Sequence, residues 1–153
     1  MRTLQLAVPP PVVGMLTALF MWLLSALIPG ASMATAYNTA AALAFAAAGL
    51  AVSFAGVVAV KRAGTTIDPR RPGSTSVLVT SGVYRFTRNP MYLGMLLVLL
   101  AWGLALGNGL SLLSAFAFVT YINRYQIRPE ERLLQEKFGT VFAAYAARVR
   151  RWI

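Results

Sequence analysis

The side chains of this chain that could do chemistry fall into two clusters. Arg85, Arg88, Asn89, Pro90 and Tyr92 form the first; Arg124, Arg128, Glu130 and Glu131 form the second, with Tyr145 further on. The 153 residues include no cysteine and no histidine. That removes disulfides, Cys/His zinc sites, iron–sulfur clusters, thiol nucleophiles and imidazole bases. Carboxylates, hydroxyls, guanidiniums, ammoniums and backbone groups remain. Such a set suits a reaction driven by positioning and desolvation, without a metal or a covalent intermediate. Paired acids hold a cation, and arginines or a helix N-terminus hold an anion. A tyrosine ring stacks on a heterocycle or faces an onium group, an attraction of about 0.5–2 kcal/mol. No residue in either cluster is singled out as a general acid or base.

Taken one at a time, these residues have plainer roles. Glu130 and Glu131 at a helix start complement its dipole, worth about 0.3–1 kcal/mol. Tyr84 and Tyr92 fit an interfacial aromatic belt. Gly94 fits close helix packing in a membrane, or the approach of a ligand. Arg85 and Arg88 fit pairing with lipid phosphate. Only the joint arrangement argues for a site.

The elements that position them are apolar. The chain is 58% hydrophobic and 12% charged, with mean hydropathy +0.66. A soluble domain of this length could not hide so much apolar surface. Four segments, 11–28, 39–60, 90–106 and 110–127, have the polarity to cross about 30 Å of hydrocarbon. Gly107-Asn108-Gly109 is a tight turn, so the third and fourth segments form an antiparallel hairpin. Asn89-Pro90 reads as a helix start, Asn as cap and Pro as first residue.

The net charge of +10 flanks the apolar runs, which is a membrane-topology pattern and not a nucleic-acid one. The loop 61–89 and the tail 128–153 carry the basic residues, while the two opposite turns carry no charge. Both termini and the loop are therefore expected in the cytosol. The N-terminal apolar run reads as a retained first helix and not a signal peptide. Arg124 is the lone charge within the four segments, so ion or proton transport, which needs charge at mid-membrane depth, is disfavoured. The expected fold is all-α: one membrane-embedded domain over residues 1–153, with four transmembrane helices and an amphipathic cytosolic C-terminal helix.

The string GVYRFTRNPMYLG, residues 82–94, resembles the signature of the isoprenylcysteine carboxyl methyltransferase and phospholipid methyltransferase superfamily. Gly82, Tyr84, Arg88, Pro90, Tyr92 and Gly94 fall in register, and Asn89 stands where better-known members have His. The tail RPEERLLQEKFGTVFAAYAARVRRWI, residues 128–153, is similar to the C-terminal block of that superfamily through Glu130, Glu131, Leu134, Phe138, Gly139, Phe142, Tyr145, Val149 and Trp152. The resemblance covers nearly half the chain, from about residue 81 to its end. It implies a bacterial inner-membrane enzyme using S-adenosylmethionine to methylate a lipophilic small molecule or lipid. It further implies a cofactor site of Arg88, Asn89, Pro90, Tyr92, Gly94, Glu130 and Glu131, with the tail helix as a lid. Arg85, Arg124, Arg128 and Tyr145 are the expected substrate-side residues, their basic rim favouring a carboxylate acceptor over an amine. Two other readings stand beside it: an NADPH-dependent membrane reductase of the sterol type, and a non-catalytic membrane scaffold. A homodimer is an open arrangement for so small a unit.

Overall fold

The computed structural model describes residues 8–29, 38–64 and 77–153, and among the described residues the regular structure is helical throughout. Helix α1 (Pro10–Leu27) opens on two prolines, whose missing N–H groups cost nothing in a first turn. Helix α2 (Asn38–Arg62) ends on Lys61 and Arg62, which complement the negative end of its dipole. A 3-10 turn (Gly82–Arg85) precedes α3 (Pro90–Leu106). Gly107 stops α3 in the left-handed conformation, φ 59°, which glycine adopts without strain. Asn108 then caps α4 (Gly109–Ile122) by accepting from the Ser111 N–H at 3.1 Å.

Beyond Ile122 the helix does not end. A π-helical turn (Asn123–Ile127) carries it directly into α5 (Arg128–Arg148), with Pro129 in the first turn. The fourth apolar segment and the tail helix, expected as separate elements, are thus one continuous rod. The tail is then bent at Gly139, whose φ of 51° and ψ of −124° interrupt the helix.

Small residues draw α2 and α3 together. A Cβ on Gly94 would overlap the Ser53 hydroxyl and reach within 2.5 Å of the Gly49 carbonyl oxygen; one on Gly56 would lie 3.0 Å from the Pro90 ring. Backbones can approach this closely only where side chains are minimal. Met21, Leu99, Phe118, Ile122 and Ile127 fill the core between α1, α3 and α4, with Tyr92 at one end. At the other end Asn108 donates to the Ile28 carbonyl at 3.0 Å, and the Ser111 hydroxyl donates to the Met21 carbonyl at 2.7 Å.

The outer faces are apolar and uncovered. Met15 on α1 and Phe54 on α2 are both 71% exposed, and Phe116 on α4 is 69% exposed. Apolar faces of this extent require an apolar surround. Among the described residues, α1 and α2 have the length and composition to cross a membrane, and α3 is apolar but shorter. The neutral turn expected before Tyr37, the charges Arg2, Asp68, Arg70 and Arg71, and all but Gly64 of the irregular stretch 64–76 lie outside the described residues.

Candidate active site

The residues entering α3 meet the start of α5 and the chain's last residues. Arg88 reaches across with one terminal nitrogen donating to Glu131 Oε1 at 2.7 Å and the other to the Ala146 carbonyl at 2.8 Å. Its backbone N–H donates to the Arg150 carbonyl at 3.0 Å. The second Glu131 oxygen accepts from Arg151 Nη2 at 2.5 Å. One carboxylate thus clasps two guanidiniums, one from each side of the junction.

Asn89 occupies the cap position of α3 but its side chain does not cap. Its Nδ2 donates to the Arg151 carbonyl at 2.8 Å, and its own N–H donates to the Thr87 hydroxyl at 3.2 Å. The expected capping role is corrected accordingly: the amide turns outward because a main-chain acceptor lies within reach. Thr87 also donates to the Arg151 carbonyl, at 3.3 Å. The segment after α5 is therefore stitched to residues 87–89 largely through its backbone.

One turn into α3, the buried Tyr92 hydroxyl donates to Glu130 Oε1 at 2.7 Å. Burial pushes the Glu130 carboxyl up to about 7; the Tyr92 hydrogen bond opposes this and the neighbouring Glu131 charge adds to it. Tyr145 donates to the Tyr84 carbonyl at 2.8 Å. Burial raises both phenols, Tyr145 to about 12, with the Arg88 charge pulling Tyr145 the other way. The hydrogen bond from Arg151 to Glu131 holds that guanidinium above its ordinary value.

Beside this network lies an open cleft of about 730 Å³ lined by Arg124, Arg128, Glu131, Arg132, Gln135 and Arg151. Of the expected cofactor residues, Arg88, Asn89, Tyr92, Glu130 and Glu131 come together in the network, and of these Glu131 lines the cleft. Pro90 and Gly94 instead pack on α2, so the expected close approach at Gly94 is that of a neighbouring helix. Of the substrate-side set, Arg124 and Arg128 line the cleft. Arg85 is exposed on the 3-10 turn, and Tyr145 is buried against Phe142. Neither lines the cleft.

Sequence reasoning passed over Thr87, Arg132, Gln135 and Arg151 as parts of the site. The four-residue spacing of Arg124, Arg128 and Arg132 is a signal that could have revealed one shared helix face. Nothing in residue type marks Arg151, which arrives by a fold-back of the chain.

An uncharacterized protein of Haemophilus influenzae is 49% identical over 63 residues, which make up 41% of this chain and the whole of that protein. No solved structure matches the chain. The family model described as phospholipid methyltransferase matches residues 37–141, which include all of α2, α3 and α4, Arg88, Tyr92 and both acids Glu130 and Glu131. With that match spanning well over half of its length, the chain belongs to the phospholipid methyltransferase family, membrane proteins that transfer methyl groups to lipid-like substrates.

Proposed function

We propose that the protein moves a methyl group from S-adenosylmethionine to a lipophilic acceptor dissolved in the membrane, a carboxylate in preference to an amine, in the manner of isoprenylcysteine carboxyl methyltransferases. The observation that carries this reading is the pair of contacts Arg88–Glu131 and Tyr92–Glu130. They join the entry of α3 to the start of α5 at a single place.

The chain's groups fit such a donor. Glu130 is a half-buried carboxyl held by a neutral phenol and pushed up to about 7. An ammonium or sulfonium beside it restores the charge balance that burial removes. Glu130 and Glu131 hold the donor's ammonium or ribose hydroxyls, Arg88 and Asn89 its carboxylate, and Tyr92 presents its ring to adenine or sulfonium. Pro90 and Gly94 act by seating α3 against α2. The bound donor supplies an activated methyl group on a sulfonium sulfur, ready for in-line attack. The residues then orient the acceptor and exclude water, which needs neither cysteine nor histidine.

In this reading α3 and α4 also cross the bilayer, paired through Gly107 and Asn108. Both termini and the site face the cytosol of a bacterial inner membrane, consistent with the basic ends of the chain. Arg124 and Arg128 lie where an acidic acceptor would arrive from the lipid.

The test is methylation of total membrane lipids with labelled donor, followed by mass identification of the product. Equilibrium binding of adenosylmethionine against NADPH to the purified protein accompanies it. Saturable binding of NADPH with none of adenosylmethionine would overturn the proposal.

A further inference from the structure

Glu131 is the acid of the network that faces the open cleft, and its carboxylate is already occupied. Its Oε1 accepts from Arg88 Nη2 at 2.7 Å and from Arg151 Nε at 3.1 Å; its Oε2 accepts from Arg151 Nη2 at 2.5 Å. A carboxylate offers about four lone-pair sites, and guanidinium N–H groups fill three of them. These two guanidiniums and one carboxylate together carry a net positive charge. Arg151 stands beside Glu131 in the cleft lining, so a cation arriving there meets that charge first. Arg151 sits where the proposed donor would place its own positive group.

Arg151 is carried by a segment that can detach. Residues 149–153 follow α5 without regular structure, starting from Val149 in extended conformation. Thr87 and Asn89 both donate to the Arg151 carbonyl, and the Arg88 N–H donates to the Arg150 carbonyl. The apolar anchor is Trp152, which packs against the core and donates through Nε1 to Asn123 Oδ1 at 3.3 Å. Arg150 and Ile153 are exposed. Segments held by few apolar contacts open at low cost, and a partly exposed ion pair such as Arg151–Glu131 adds little.

The closed arrangement also leaves one donor unmet. Arg88 Nε is buried without an acceptor, although both terminal nitrogens of that guanidinium are paired. Burying an N–H without a partner is unfavourable. A ligand with a carboxylate and a cationic group supplies both missing pieces: an anionic oxygen for Arg88 Nε, and a positive group to replace Arg151 on Glu131.

We propose that residues 149–153 are an autoinhibitory latch in which Arg151 occupies the Glu131 carboxylate as a tethered cation, and that the methyl donor binds by displacing it. The latch rests on the methyl-transfer reading. A site open for only a fraction of the time binds with its affinity reduced by that fraction. Weakening the latch therefore tightens donor binding, the reverse of what losing a structural contact does.

The experiment uses the full chain in detergent. The adenosylmethionine Kd is measured calorimetrically for the wild type, Arg151→Ala, Arg151→Lys and Trp152→Leu, with thermal unfolding to establish the folded fraction. Trypsin cleavage after Arg148 and Arg150 is timed on the wild type with and without the donor. The Kd is expected to fall about threefold or more in Arg151→Ala and in Trp152→Leu. Arg151→Lys, which keeps the competing charge, is expected to stay near the wild type. The donor is expected to speed cleavage about threefold or more, by the same displacement. A Kd unchanged or raised in both Arg151→Ala and Trp152→Leu overturns the latch. So does a donor that slows cleavage, which would make the segment a lid closing over its ligand. No donor binding in the wild type or any variant overturns the methyl-transfer reading itself, and the latch with it.

Discussion

Tyr92 donates its hydroxyl to Glu130 across 2.7 Å, tying the first turn of α3 to the first turn of α5 over 38 residues of sequence. The pairing places a carboxyl where burial raises it from 4.5 to about 7. A group raised in the folded state binds its proton more tightly there than in the unfolded chain. Its contribution is therefore complete below pH 4.5 and is lost as pH climbs to 7. The loss is on the order of 3 kcal/mol. Unfolding in detergent followed between pH 4.5 and 8 should show this decline, and Glu130→Gln should flatten it. An unchanged slope in that variant would show that another group is responsible.

Donor binding should carry the same signature in the opposite sense. If a cation settles beside Glu130, it displaces that proton, so the adenosylmethionine Kd should fall as pH rises and level off above about 7. Calorimetry in buffers of different ionisation enthalpy reads the proton release directly.

Removing Arg88 separates binding from architecture. Arg88→Ala deletes the partner of Glu131 and the donor to the Ala146 carbonyl. Hydrogen bonds to charged groups of this kind are worth about 2 kcal/mol each. The variant should stay folded in detergent, bind adenosylmethionine more weakly, and expose the segment after α5 to trypsin. Glu131→Gln should do the same through the loss of both ion pairs. Full donor affinity in both variants would remove the proposed pocket.

Gly94 makes a different demand. Any side chain there runs into Ser53 and the Gly49 backbone, so Gly94→Val should push α2 from α3. Overpacking of this sort costs about 1–3 kcal/mol. A lowered unfolding temperature, with donor affinity falling only as far as the folded fraction does, would mark Gly94 as a packing residue.

Much of this was legible in residue types that punctuate helices. Pro90 and Gly107 mark the two ends of α3, since one lacks an N–H and the other tolerates positive φ. The meeting of Arg88 with Glu131 followed from two helices joined by so short a turn. Gly94 offered two readings from sequence, and only the position of Ser53 decides between them. The docking of the last residues was invisible because Asn89 and Arg88 bond to carbonyls of Arg150 and Arg151. Every residue carries that acceptor, so side-chain identity encodes nothing about it. The boundary expected after the fourth segment is likewise absent, because a π-helical turn carries α4 straight into α5 with Pro129 in its first turn.

That wider turn fixes the angular setting of everything downstream. The N–H of Arg128 bonds back to the carbonyl of Asn123, five residues earlier, where an ordinary α-helix would span four. Wound as an ordinary α-helix, the same five residues would swing the whole tail helix further round by about 100° and push it out by about 1.5 Å. Both acids would then rotate away from Tyr92 and Arg88 although every side chain involved was still present. The wide winding of this stretch works as the indexing pin that keeps the Arg88–Glu131 and Tyr92–Glu130 contacts in phase.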